Sequence, residues 1–299
     1  METVSTLRTP DGVTHTYRLS RVSRSRGLIV LIHGLASNLT RWSEFIEHTP
    51  LKQEWDILRY DLRGHGESMT RGRIGMEQWC ADLAAILAHE RYAKAHLVGN
   101  CLGANIALYF AVRHPGKTAG LVLVEPLLQT ALSGKLRYLQ VFKPLLRLFI
   151  GLIRLFNALG LYRRHLPALD LRTLDADTRA VVAASGDARD IARRYSMPWY
   201  DLRHLPTANY LQFLLEVVRA PPPLAAIAVP TLTLISLGIS FSDPEITKKL
   251  VSAIPNSQIV VIESHHWLMT EKPEETRRAI ERWFSGFTSS DRNRSQESS

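Results

Sequence analysis

Residues 96–105, His-Leu-Val-Gly-Asn-Cys-Leu-Gly-Ala-Asn, carry an apolar strand pattern straight into a helical one through Gly99-x-Cys101-x-Gly103. So abrupt a passage needs a very tight turn, and small residues flank Cys101 because a Cβ at either place would meet neighbouring backbone. Such a turn lifts the side chain of Cys101 clear of the sheet. It also sets the sulfur at a helix N-terminus, where the dipole favours thiolate. The competing reading is a small buried core residue. Cys80, inside a predicted helix, is read that way.

The rest of the chain agrees with a sheet whose strands feed helices. Apolar runs at 27–32, 56–60, 96–98, 121–124, 231–237 and 258–262 alternate with helical patterns at 76–90, 102–113, 244–253 and 273–287. This alternation predicts an α/β fold with a mostly parallel sheet flanked by helices. Residues 3–8 and 13–21 predict a leading antiparallel pair turned at Pro10-Asp11-Gly12. The pattern breaks after Pro126, where helical periodicity and proline clusters replace strands until about Val229. The expected organisation is therefore a core of 1–126 and 227–288, a helical cap over 127–226, and a polar, flexible tail over 289–299.

Three further segments complete a pattern: His33-Gly34-Leu35-Ala36-Ser37 after the first apolar strand, Asp61-Leu62-Arg63-Gly64-His65-Gly66-Glu67-Ser68 after the next, and Ser264-His265-His266-Trp267 near the end. With G-x-C-x-G they resemble the α/β-hydrolase superfamily, in the branch with a helical cap after the sixth strand and with Cys for the usual Ser. The resemblance spans roughly residues 27–284. It implies the chain order nucleophile, acid, histidine. Cys101 is then the nucleophile and His266 the base, although His265 stands where a Gly is usual. The acid expected after the penultimate strand is Asp243, in a loop longer than usual. Its other reading is a helix N-cap before Pro244. Glu125, at the end of residues 121–124, is the alternative acid. The resemblance makes the backbone N–H groups of Leu35 and Leu102 the oxyanion hole, and gives His33, Asp61, Arg63 and His65 bracing roles.

Cysteine narrows the chemistry, because an acyl-Cys is itself a thioester and exchanges readily with ester or thioester donors. The expected activity is hydrolysis of a hydrophobic, possibly carrier-bound, acyl ester or thioester. Alternatives are acyl transfer to a non-water acceptor, and a silent fold that only binds a lipid or partner. A further reading makes Cys101 a replacement for Ser with weakened activity. No metal-ligand spacing is present, and Gly64-His65-Gly66 lacks the setting of a dinucleotide site, so no metal or cofactor is expected.

The charge is uneven. The 299 residues carry a formal +9, of which +7 falls between Leu127 and Leu169, where Lys135, Arg137, Lys143, Arg147, Arg154, Arg163 and Arg164 meet no Asp or Glu. Within it, the run from Pro144 to Tyr162 predicts an amphipathic helix with a narrow polar stripe. It is read either as a buried lid helix over the site or as an interfacial helix touching anionic membrane. Nucleic acid is not expected, since aliphatics rather than aromatics interleave the basic residues. The first 26 residues lack an apolar run, so no secretory signal is expected. Arg147 and Arg154 would each cost about 2.5–3.5 kcal/mol at a bilayer centre. The reading is a cytoplasmic protein, at most peripheral to a membrane.

Overall fold

The chain begins as a hairpin of β1 (Thr3–Arg8) and β2 (Thr14–Ser20). It continues through β3 (Leu28–Ile32), α1 (Ser43–His48), β4 (Asp56–Tyr60) and α2 (Met76–His89). Next come β5 (Ala95–Asn100), α3 (Leu102–Arg113) and β6 (Thr118–Val124). The segment that follows holds α4 (Gly134–Tyr138), α5 (Lys143–Ala158), α6 (Leu171–Ser185), α7 (Pro198–His204) and α8 (Thr207–Val217). The sheet resumes with β7 (Thr231–Ser236), α9 (Pro244–Val251) and β8 (Ser257–Ile262), and the chain closes with α10 (Leu268–Glu271) and α11 (Pro273–Gln296). This structure, a computed structural model, describes residues 2–185, 191, 194–195, 197–238 and 241–296, and only the backbone of 288–296.

The eight strands form one sheet in the order β1-β2-β4-β3-β5-β6-β7-β8. The pairs β1–β2 and β2–β4 are antiparallel, and all others are parallel. A parallel sheet is covered on both faces, so its central strands are apolar throughout rather than alternating. β3, Leu-Ile-Val-Leu-Ile, is buried at every position. Its residues still divide by the period of two: Leu28, Val30 and Ile32 join a core with α2 and α3, while Ile29 and Leu31 join another with Trp42, Trp55 and Phe284.

The final helix runs to Gln296, and residues 297–299 lie outside the described ones. One expectation needs correction: α5 is not a buried lid. Its less exposed residues are Lys143, Leu146, Ile150, Ile153, Arg154 and Asn157, at helical spacing, and α5 packs on α8. Ile150 alone in α5 is fully buried. Arg154, expected on a solvated stripe, is half-buried and donates to the carbonyl of Gly72 at 3.2 Å.

Candidate active site

The turn at Cys101 has the strained backbone that its neighbours imply, with φ 55° and ψ −115°. Its N–H donates to the carbonyl of Val124 at 2.8 Å, tying the turn to the end of β6. A Cβ at Gly99 would lie 2.3 Å from the carbonyl oxygen of Gly103, and one at Gly103 would lie 2.3 Å from that of Ile32. Only glycine at both places lets the start of α3 press against β3 and β5. Cys101 is half-buried and faces a cavity of about 490 Å³. Cys80, by contrast, is buried in the core, and burial pushes its thiol up to about 12.

His266 follows β8 and is 7 % exposed. Its Nδ1 lies 3.0 Å from Oε2 of Glu125, and it lines the cavity together with Cys101. A carboxylate only accepts, so Nδ1 carries a proton toward Glu125 and Nε2 is left for the sulfur. Burial by itself would lower the imidazole. The sulfur of Cys101 and the carboxylate of Glu125 outweigh it and push His266 up to about 10. His265 points elsewhere: it is half exposed, with Nδ1 3.1 Å from Oε2 of Glu271.

Glu125 reaches His266 from two strands away. It follows the last residue of β6 in the left-handed region, with φ 52°, and its N–H donates to Leu234 at 3.0 Å. From there the carboxylate crosses the end of β7, accepting from the N–H of Ser236 with one oxygen and meeting His266 with the other.

Asp243, the carboxylate expected in this place, does not orient His266. Its Oδ1 accepts from the N–H groups of Glu245 at 2.9 Å and Ile246 at 3.1 Å, so it is the N-cap of α9. The loop ahead of it presents Phe241 to the histidine instead, edge-on at 4.8 Å between ring centroids; residues 239 and 240 lie outside the described ones.

The segment from His33 closes the other side. An added Cβ at Gly34 would come within 3.1 Å of Cys101 Cβ, so this backbone lies against the nucleophile turn. His33 holds it there: Nε2 accepts from the N–H of Leu62 at 3.0 Å, which leaves Nδ1 to donate to the carbonyl of Gly34 at 2.9 Å. Burial lowers His33 to about 3 and holds His65, stacked on Phe213 at 4.1 Å, well below the ordinary histidine range. Asp61 accepts from Leu39 and Glu67, each at 2.8 Å, and Arg63 is paired with Asp82. These groups brace loops. Leu35 precedes Ala36, whose φ is 49°, and Leu102 opens α3. Among the described residues neither amide is spent on a protein acceptor; Leu35 lines the cavity, and Leu102 directly follows Cys101.

The cavity walls are mainly apolar, with Leu127, Leu136, Leu139, Leu214 and Val217 among them. The inserted helices supply this side through α4, α7 and α8; α5 contributes none of it. Sequence reasoning missed the polar groups that line it. Arg41, just before α1, donates to both oxygens of Asp175 in α6 at 2.7 and 2.6 Å, and to Thr270 of α10 at 3.0 Å. Asp201 and Tyr210 line it as well, and burial pushes Asp201 up to about 7. Arg41 and Asp175 are 134 residues apart, and no local pattern announces such a pair. Among the described residues no group of three or more His, Cys, Asp or Glu side chains is placed to hold a metal ion.

A tight strand-to-helix turn after the fifth strand, a histidine after the last and helices on both faces define a hydrolase-type architecture. Residues 27–273 match the family of the alpha/beta hydrolase fold, and the chain belongs to that family. It is 24% identical over 261 residues to a Haemophilus influenzae protein provisionally named an esterase/lipase, covering 86% of this chain and 82% of that one. A shorter match, 34% identical over 116 residues, joins 38% of this chain to 30% of the dihydrolipoyllysine-residue acetyltransferase component of the acetoin cleaving system of Pseudomonas putida. The chain thus spans less than a third of that relative. Among solved structures, one provisionally assigned as an aryl esterase of Burkholderia cenocepacia superposes with a TM-score of 0.66 at 20% identity, covering 96% of this chain and all of the other.

Proposed function

We propose that the protein hydrolyses hydrophobic acyl esters or thioesters through an acyl-Cys101 intermediate. One observation carries this reading: Cys101 and His266, the latter held by Glu125 at 3.0 Å, line one apolar cavity together. The sulfur attacks the substrate carbonyl as thiolate, and the charge that develops on oxygen is met by the N–H groups of Leu35 and Leu102. His266, held protonated between sulfur and carboxylate, gives its Nε2 proton to the leaving alcohol or thiol as the bond to it breaks. The resulting acyl-Cys101 is attacked by water, whose proton goes to His266. Collapse releases the carboxylic acid and restores thiolate and imidazolium.

Glu125 takes the part of the orienting acid, and the inserted helices serve as a cap over the acyl chain. A cavity of about 490 Å³ with leucine walls suits a medium-length aliphatic or aryl acyl group. The names of the Haemophilus influenzae and Burkholderia cenocepacia relatives support the esterase class. A sulfur nucleophile also favours a second reading, transfer of the acyl group to an alcohol, amine or thiol, because the thioester intermediate retains its acyl potential.

The test is turnover of p-nitrophenyl esters and acyl thioesters of graded chain length. The wild-type protein is expected to prefer apolar acyl groups, and Cys101→Ala to lose turnover. An added acceptor that diverts product from acid to acyl-acceptor would select the transfer reading. No turnover of any donor, or full turnover by Cys101→Ala, contradicts the reading.

A further inference from the structure

On α5, Leu145, Leu148, Phe149, Leu152, Leu155 and Phe156 are all exposed by close to half or more, and Leu148 by 68 %. At 3.6 residues per turn they fall within one arc of about 120°, opposite the inward face. Six large side chains so placed leave on the order of 600 Å² of apolar surface bare, at the upper end of what a soluble monomer shows. The patch continues into the residues ahead of α5, where Tyr138, Val141 and Phe142 are exposed too.

We infer that this face docks on an anionic lipid surface. The charge around it makes that choice. Lys135 and Arg137 on α4 and Arg147 on α5 are exposed, the stretch from Leu127 to Leu169 holds no carboxylate, and none of these three is ion-paired among the described residues. A second copy of the chain would be a poor occupant, because a twofold contact there would set two like-charged rims against each other. Anionic headgroups meet the same rim with opposite charge while the leucines enter the acyl boundary. Exposed aromatic residues of the kind enriched at membrane interfaces stand on neighbouring inserted helices: Tyr138 on α4, and Trp199 on α7, which is 80 % exposed.

The cavity lining adjoins exposed residues along the chain: Leu136 and Leu139, which line it, flank exposed Arg137 and Tyr138, and Pro198, which also lines it, precedes exposed Trp199. Docking would therefore bring the cavity rim to the lipid, and an acyl chain could pass from one to the other. Delivery of substrate by this route rests on the acyl hydrolase reading; the binding itself does not.

Co-sedimentation with vesicles tests the binding, using phosphatidylcholine with and without phosphatidylglycerol at about 0.05 and 0.5 M salt. The protein is expected to sediment with the phosphatidylglycerol vesicles, about tenfold or more weakly with phosphatidylcholine alone and at high salt. Leu148→Asp/Leu155→Asp and, separately, Lys135→Glu/Arg137→Glu/Arg147→Glu should each weaken binding about tenfold or more, and both sets change only exposed side chains. Cys101→Ala should bind like wild type, which separates lipid binding from the chemistry. The inference is overturned if wild type ignores phosphatidylglycerol vesicles or if both variants bind undiminished. It is also overturned if wild type is a dimer that Leu148→Asp/Leu155→Asp turns into a monomer.

Discussion

Cys101→Ser is expected to lower kcat/KM on any ester or thioester the protein turns over by about 10²- to 10⁴-fold. A serine hydroxyl is far less acidic than a thiol and must lose its proton to a free imidazole as it attacks. In this site the imidazole is poised the other way. His266 sits in a buried place that would lower it, yet sulfur and carboxylate push it up to about 10, so at neutral pH it holds a proton. Removing the sulfur removes part of that push, but the 3.0 Å contact with Glu125 remains. A serine at this position would therefore face an imidazole that must first give up its proton before it can act as a base. A serine variant as active as wild type, or more so, would favour the other reading of Cys101, as a replacement for Ser in a site built for Ser. Steady-state kinetics on purified wild type and variant decide it.

Glu125→Gln is expected to lower kcat/KM by about 10²-fold, whereas Asp243→Asn should leave it nearly unchanged. The first substitution replaces the carboxylate that accepts from both His266 and the N–H of Ser236. It leaves the shape intact but removes the charge that steadies the imidazolium. The pH profile should move with a definite sign. Because the His266 pKa is raised in the folded protein, its protonated form persists through neutrality and is lost as pH rises through about 10, which sets the alkaline limb. Without the Glu125 charge that limb moves to lower pH. Asp243 caps α9, a role asparagine also fills, so Asp243→Asn should unfold close to wild type, whereas Asp243→Ala should cost about 0.5–2 kcal/mol in thermal unfolding. If Asp243→Asn lost activity and Glu125→Gln kept it, the pairing of His266 with Glu125 would be wrong.

This contrast shows where the sequence is legible and where it is not. The central strands are apparent as unbroken apolar runs because a covered parallel sheet buries both faces of every strand. The turn at Cys101 is apparent because close backbone contact excludes any side chain at Gly99 and Gly103. The acid is harder. Asp243 and Glu125 each follow a strand near the site, and their roles depend on which carboxylate the loops aim at His266. The positive φ of Glu125 and the ring of Phe241 settle the geometry, and neither has a sequence signature. The direction of α5 is hidden for a similar reason. Periodicity separates its faces, but only the packing on α8 tells which one looks inward. The pairing of Arg41 with Asp175 joins segments far apart in the chain and leaves no local trace at all.

The central claim is a covalent acyl group on Cys101, and intact-mass measurement after brief mixing with a p-nitrophenyl acyl ester or acyl thioester reads it directly. The account predicts a mass increase equal to one acyl group, mapped by peptide digestion to Cys101, absent in Cys101→Ala and longer-lived in Glu125→Gln. Turnover with no adduct on Cys101 under any quenching condition, or an adduct that persists in Cys101→Ala, would contradict it.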